Sequence, residues 1–568
     1  MATTTNSVAQ PAVRRLTPRC HRPAAAARPG VLALALAAAW GATHAQTQGE
    51  ASGYGASPRG QAAAAPAAAA STAETAPAAP AAPAGPPPIL RPSVSLTVLG
   101  TDNALLTASD RRSDAIADGR VDLALHRRGP RVTLEGNLGA DAIVYANHTA
   151  PDRIVPRGNL SLEAILAERA LFLDAGVEME RTRADPFAPA LGESSTANTV
   201  STVTWRVSPY FQRDLSPTLS AYARSDTSVT RNHGADPGVD APQGNTFQSE
   251  IVRLERKPTP VGLALQASRD ETTYQGRNQA ALVDDNARAI VSVGVDQELL
   301  FGATGGRDHT AYSGLVYDET TYGLVAQWRP SPRLRFDADA EHRFFGTAWN
   351  VHFRDRLPLA VFDLAYRRAA EAAPGAISLP TPDADPAALL DSLLSTRVPA
   401  QDARDAAVDQ IEQSRGLPDD FGQSVSIFSQ APQLVQTARA ELLLNGVRNS
   451  VLGSLFYAKA QALPGQVLAP QALDTRQWGG SIGWYHRLTP LMSAAAELSY
   501  LDVQGLDANA GDSSRQTLAT LSLTRRLGPE AAFSCGVRRL AARVTQSTLG
   551  SDVRIDENEV FAGVRMQY

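Results

Sequence analysis

From Ser93 to the last residue, apolar and polar side chains alternate one for one, segment after segment, in runs of roughly ten residues. A period of two gathers the apolar residues on one face of an extended strand and scatters them around a helix. In Leu334-Arg335-Phe336-Asp337-Ala338-Asp339-Ala340-Glu341, one face carries Leu, Phe, Ala and Ala, and the other carries Arg, Asp, Asp and Glu. Val121, Leu123 and Leu125 alternate with Asp122, Ala124 and His126, and the pattern returns in residues 131–138 and 519–524. Segments of this length and period match transmembrane β-strands. A soluble sandwich alternates too, but it turns about every 8–12 residues, and here the turn signals lie farther apart. The chain is 43% hydrophobic with a mean hydropathy of -0.19 and has no apolar span of about 20 residues, which excludes a helical membrane bundle.

Seven turn signals share one form. Arg127-Arg128-Gly129-Pro130, Arg213-Asp214-Leu215-Ser216-Pro217, Arg256-Lys257-Pro258-Thr259-Pro260, Arg329-Pro330-Ser331-Pro332, Arg356-Leu357-Pro358, Arg487-Leu488-Thr489-Pro490 and Arg526-Leu527-Gly528-Pro529 each stand where one alternating segment stops and the next begins. Proline donates nothing to a sheet ladder, so it belongs at strand ends. Pro217 and Pro260 are 43 residues apart, and Pro490 and Pro529 are 39 apart, room for two strands and a longer loop between them. Residues 227–245, 274–285 and 502–514 are rich in Gly, Asn and Asp, as solvated loops are. Trp328 and Trp484 precede the turn prolines Pro332 and Pro490 by four and six residues, and Trp205 stands twelve before Pro217; tryptophans in such a band suggest an interfacial aromatic girdle.

These features predict an all-β fold: a single large antiparallel transmembrane β-barrel of about 18–22 strands, with both termini on the periplasmic side. Arg335, Asp337, Asp339 and Glu341 are then lumen-facing, because each would cost about 2–4 kcal/mol at the lipid midplane. With both charge signs mixed, the lumen is expected to be wide, polar and weakly ion-selective. On the final strand Val560, Ala562, Val564 and Met566 share one face and lead to Tyr568, a terminal aromatic like the signal by which outer-membrane barrels are recognised for insertion.

The first 92 residues read differently. Five arginines and no acid fall in residues 1–45, ahead of and around the short apolar run 31–40 (VLALALAAAW), and Thr43-His44-Ala45 offers a cleavage site, so residues 1–45 are expected to be a signal peptide. Residues 46–92, dominated by Ala, Pro and Gly, are expected to be a disordered linker. The barrel is assigned to residues 93–568. Cleavage after Ala45 leaves Cys535 alone, with no internal disulfide to make. The formal charge of -5 becomes -10 without the leader, a balance ill-suited to nucleic acid. Only two of the 53 basic residues are lysines, Lys257 and Lys459, which fits codon bias in a GC-rich genome.

No catalytic or cofactor motif is found. The nine histidines are scattered, no HExxH, phosphate loop or GxSxG is present, and Asp383, Asp385 and Asp391 lack the other ligands of a calcium loop. No cofactor, no metal and no enzymatic activity are expected.

Residues 369–432 are the longest stretch without alternation. Asp385-Pro386 predicts the start of a helix through Leu394, and Ala403, Ala407 and Ile411 recur at helical spacing before Gly416, which closes a second helix. If Arg356-Leu357-Pro358 is a periplasmic turn, parity roots this insert at the extracellular rim, from which it could fold into the lumen as a gate.

The sequence resembles the exosortase/PEP-CTERM system-associated outer-membrane proteins, within the β-barrel porins found beside exopolysaccharide genes. The resemblance spans residues 93–568. It rests on Tyr322-Gly323 through Trp328-Arg329-Pro330-Ser331-Pro332, on Glu341-His342-Arg343-Phe344-Phe345-Gly346, on Gly416-Leu417-Pro418 with Leu444-Asn445-Gly446-Val447-Arg448-Asn449, and on the Arg487-Leu488-Thr489-Pro490 turn. It implies a Gram-negative outer-membrane location and an association with exopolysaccharide export. The expected partners are outer-membrane lipid, the barrel-insertion machinery and exopolysaccharide or its export proteins. The expected function is passage of a hydrophilic solute or polymer; the alternatives are a non-conducting barrel that scaffolds export partners and a barrel-embedded hydrolase.

Overall fold

The alternating segments become the staves of a closed antiparallel β-barrel of 22 long strands. This computed structural model describes residues 90–568 except 184, 190–198, 234–243, 275–281, 296–297, 313, 372–375, 378–385, 419–420, 422–426, 429–431, 466–473 and 547–550. The chain runs up and down, each stave pairing with its neighbours in sequence. The insert interrupts this order, so that Ala360–Glu371 pairs with Gln433–Asn445. The ring closes when the first stave, Leu90–Thr101, pairs with the last, Ser551–Gln567, Ser93 lying opposite Gln567. Closure leaves no unpaired edge, which a strand in lipid cannot tolerate.

Both chain ends sit on one rim, here the terminus rim. Ten connections of two to four residues lie on it, and all seven arginine–proline signals are among them. The eleven connections of the opposite, far rim include every long loop and the insert.

Two boundaries differ from expectation. The first stave starts at Leu90, which pairs with Leu125, so Leu90, Arg91 and Pro92 belong to the sheet. The staves also run to 10–17 residues. His233, Tyr274 and Leu282, read from composition as loop, are ladder residues. Polar composition there reflects strands that continue past the apolar belt, where backbone pairing persists without an apolar face.

Alternation becomes orientation. Leu324 (68% exposed), Leu455 and Val560 point outward with Trp205, Trp328 and Trp484, while Arg335, Asp337, Asp339 and Glu341 alternate with Phe336, the partner of Trp328, on the other face of their stave. Val560, Ala562, Val564, Met566 and Tyr568 lie on the outward face of the last stave, and Phe561 and Gly563 on the inward one. The Tyr568 N–H is bonded to the Pro92 carbonyl, 2.9 Å away.

A candidate passage and its plug

The inner wall has two unlike halves. From the stave Leu171–Arg183 round to Ala360–Glu371 it carries a ladder of paired charges. Arg224 donates to Asp226 at 2.9 Å and to Asp174 at 3.0 Å. Arg343 donates to Asp308 at 2.6 Å and Asp284 at 2.8 Å. Asp363, sealed at 1% exposure, accepts from His352 and Arg354. The four residues picked from sequence fall in this ladder: Arg335 donates to Asp337, Asn350 to Asp339 at 2.9 Å, and Arg288 to Glu341 at 3.1 Å.

The last contact shows why glycine recurs in these strands. Arg288 and Glu341 are three staves apart, and the staves between them present Gly306 and Gly323 to the lumen. A Cβ on Gly306 would stand 2.8 Å from Arg288 Cβ, so only a bare backbone lets the arginine lie across. Arg288, Asp284, Asp308 and Asp363 were not singled out from sequence, and Arg343 only as part of the motif that carries the resemblance; the inward parity of their strands was the available signal. Since cations and carboxylates are matched along this wall, it offers hydrogen-bonding groups with little net potential.

The other half, from Gln433–Asn445 to Ser551–Gln567, is not the polar surface expected. Towards the far rim it is lined by Phe456, Leu501, Leu518, Leu540 and Ile555, covered by Leu106 and Phe187 from two far-rim loops. Asp185 accepts the Phe187 N–H at 2.8 Å, and Gln516 donates to the Ala188 carbonyl, tying the second loop to this wall. A strict polar alternation holds only where the inner face meets water; here both faces are covered, so apolar residues occur on both. Phe344 and Phe345 form a tight turn, and the Phe344 ring, edge-on to Phe345, joins Tyr312 and Tyr317 at the far rim. The Pro464 carbonyl accepts from both tyrosine hydroxyls.

The insert packs against this wall. It is rooted at the far rim, where Ile427 pairs through its backbone with Arg183 on the opposite wall. Its two helices, α1 (Pro386–Leu394) and α2 (Gln401–Arg415), lie deep in the barrel beside the terminus rim. Leu389, Leu390 and Leu393 of α1 and Val408 of α2 pack with Leu417 and Phe421 against Val361, Leu443, Leu452 and Tyr485 of the wall. Polar clamps surround this contact. Arg397 donates to the Pro358 carbonyl at 2.8 Å, Arg415 to Ser450 at 2.9 Å, and Arg128, nine staves from the insert's root, pairs with Asp405 at 3.0 Å. Arg404 is almost fully enclosed and joins the helices, donating to Asp391 at 2.7 Å and to the Val398 and Pro399 carbonyls.

Both helices fall where expected, with a rotation of the second. Its packed face is Arg404, Val408 and Ile411, while Ala403 is exposed, because buried arginine stem and valine outweigh alanine in apolar area. Gly416 closes it at φ 67°, donating to the Glu412 carbonyl. Asp383 and Asp385 lie outside the described residues, and Asp391 is engaged by Arg404 and Gln401 rather than poised for a cation. Among the described residues no cluster of His, Cys, Asp or Glu is arranged to hold a metal.

No protein-family model matches the chain, and no curated protein matches it. Among solved structures it is similar to the siderophore receptor PirA from Pseudomonas aeruginosa, at 8% identity over 85% of this chain and 81% of that one, with a TM-score of 0.39. It is similar to the ferric-catecholate import receptor Fiu from E. coli K12, at 10% identity over 84% and 81%, TM-score 0.42. The outer membrane protein opdK from P. aeruginosa gives 8% identity over 84% and 99%, TM-score 0.34. At such scores superposition adds nothing to the architecture, which rests on the strand pairing itself.

Proposed function

We propose that this chain is an outer-membrane pore closed at rest by its own insert. The observation that carries the reading is the juxtaposition of a continuous charge-paired wall with a two-helix plug held to the opposite wall. A purely structural barrel has no use for a polar face kept beside a separable element. The paired wall suits a neutral hydrophilic solute or polymer, which hydrogen-bonds to it without being selected by charge. An exopolysaccharide is our proposed cargo class, supported by the sequence resemblance and by this chemistry. Removing the plug opens the passage in this reading, and the mature chain sits in the Gram-negative outer membrane after loss of residues 1–45.

The test is conductance of the refolded protein in planar bilayers. The wild type is expected to be mostly silent, and a variant lacking residues 376–430, bridged by a short Gly/Ser link, to show large stable steps and to sensitise cells to bulky hydrophilic antibiotics. Leu390→Asp, which places a charge in the apolar contact, is expected to open the pore intermittently. Equal silence in all three, with the barrel intact, favours the scaffold reading instead.

A further inference from the structure

Above the apolar belt, the outward face of the last staves changes character. On the stave Thr475–Thr489, Trp484 and Trp478 both face outward, six residues apart. That is about 20 Å along a strand, or about 15 Å of height at a barrel strand's usual tilt, within an apolar band about 25 Å tall. Trp478 lies against Tyr500 of the next stave, ring centroids 5.0 Å apart, and together they mark the upper edge of the belt. Immediately past this edge stand Arg476, with Lys459 opposite it, and Asp502.

From Asp502 a row of arginines continues round the barrel. Arg515 is opposite Asp502, Arg543 opposite Arg515, and Arg554 opposite Arg543. Arg539 lies on the same outward face as Arg543. The side chains of Arg515, Arg543 and Arg554 are 57%, 60% and 66% exposed. Asp502 and Asp556 each hold one of them at 2.9 Å, while Asp552 is 3.9 Å from Arg543. Like charges placed directly opposite destabilise a sheet, and exposed ion pairs return little. With Arg476, Lys459 and Arg539 on the same outward face, six cations stand against Asp502, Asp552 and Asp556, a local surplus of three on a chain whose formal charge is -5.

We propose that this row binds the phosphates of a diphosphorylated glycolipid in the outer leaflet. Guanidinium forks match phosphate oxygens, and the row stands on the same face as the outward Leu521, Val537 and Val560, six residues further along each stave, so that a lipid held by its headgroup at the row would lay its acyl chains towards them. Its three arginines span two strand spacings, about 10 Å, a reach that suits two phosphates on one disaccharide better than a single phosphodiester. The inference rests on the outer-membrane placement proposed above, with the far rim outward.

The full chain, refolded in neutral detergent and shown to be heat-modifiable, is examined by native mass spectrometry with diphosphoryl lipid A, monophosphoryl lipid A and phosphatidylglycerol. The diphosphoryl lipid is expected to be retained best, and the triple variant R515E/R543E/R554E to bind it at least about tenfold more weakly, while the triple lysine variant stays within about threefold. Should the triple reversal not refold, Arg543→Glu alone, whose carboxylate partner is the most distant, is expected to weaken binding in the same direction. Undiminished binding by the reversal variants, or equal retention of phosphatidylglycerol, overturns the proposal. Cell fractionation separates this from failure of the placement: a chain absent from outer membranes refutes the earlier reading, whereas one present there with an inert arginine row refutes only this one.

Discussion

Arg404 shows how much of the plug hangs on one side chain. It is almost fully enclosed, and its guanidinium joins a carboxylate on α1 to carbonyls of the link between the helices. Truncation leaves the Val398 and Pro399 carbonyls without this donor and Asp391 held by Gln401 alone, a change that costs about 1–3 kcal/mol. Arg404→Ala is expected to leave the barrel heat-modifiable while exposing the insert to added protease, measured as a nick confined to residues 386–418. Carboxylates of the far-rim loops respond to pH with opposite signs. Burial pushes Asp185 and Asp474 up, and the nearby Asp512 and Asp507 push the same way. A raised folded value means that protonation favours the folded-in loop: the benefit is present in acid and is lost as pH rises through that value. Asp102 also feels burial, but hydrogen bonds from the Asn558 side chain and backbone hold it below the ordinary carboxylate range. Its contribution is present above that range and is lost only as pH falls through the lowered value. Amide exchange of residues 185–189 is therefore expected to slow on mild acidification and that of 102–107 to quicken only in strong acid; faster exchange of 185–189 in mild acid would contradict the sign.

At the scale of elements, the last stave makes a sharp prediction. Val564 and Met566 face outward beside the closing seam, and aspartate on a lipid face costs up to a few kcal/mol at depth. The variant Val564→Asp/Met566→Asp is expected to reach the periplasm yet lose most of its outer-membrane level. The equivalent pair at Arg565 and Gln567, which lie on the inward face, is expected to assemble better; equal losses would mean the outward face is not what the insertion step reads.

How legible such elements were in the sequence follows from how local their causes are. The seven arginine–proline turns are fixed by proline's missing donor, and all fall on one rim. The staves from Leu334 to Glu341 and from Val560 onward were read from parity alone. What parity could not supply was the depth of the insert. Leu389, Leu390 and Leu393 announce a helix with an apolar stripe, but their partners Val361 and Tyr485 lie on either side of the insert in sequence and are brought onto one wall by the pairing of Ala360–Glu371 with Gln433–Asn445 across it. The apolar quarter around Phe456 and Leu540 was equally hidden, because alternation says which residues face inward and not whether water or a folded loop awaits them.

For the whole molecule, closure sets the response to denaturants. With every stave paired on both sides, unfolding must break two ladders at once, and the protein is expected to keep a compact, fast-migrating form in SDS until boiled. A single mobility in boiled and unboiled samples would refute the closed ring.

The seam between the first and last staves also governs when that ring can exist at all. Thr101 donates a hydrogen bond to Glu557 across 456 positions of chain, and the Pro92 carbonyl waits for the amide of the final residue. A polymer emerging amino end first therefore carries an open-ended sheet for the whole of its delivery, and its longest-range contact forms last. The order of arrival makes a chaperoned, late-committing assembly a necessity of topology rather than of stability. It also means that removing the stave Ser551–Gln567 leaves two raw edges, on Leu90–Thr101 and on Ala531–Gln546.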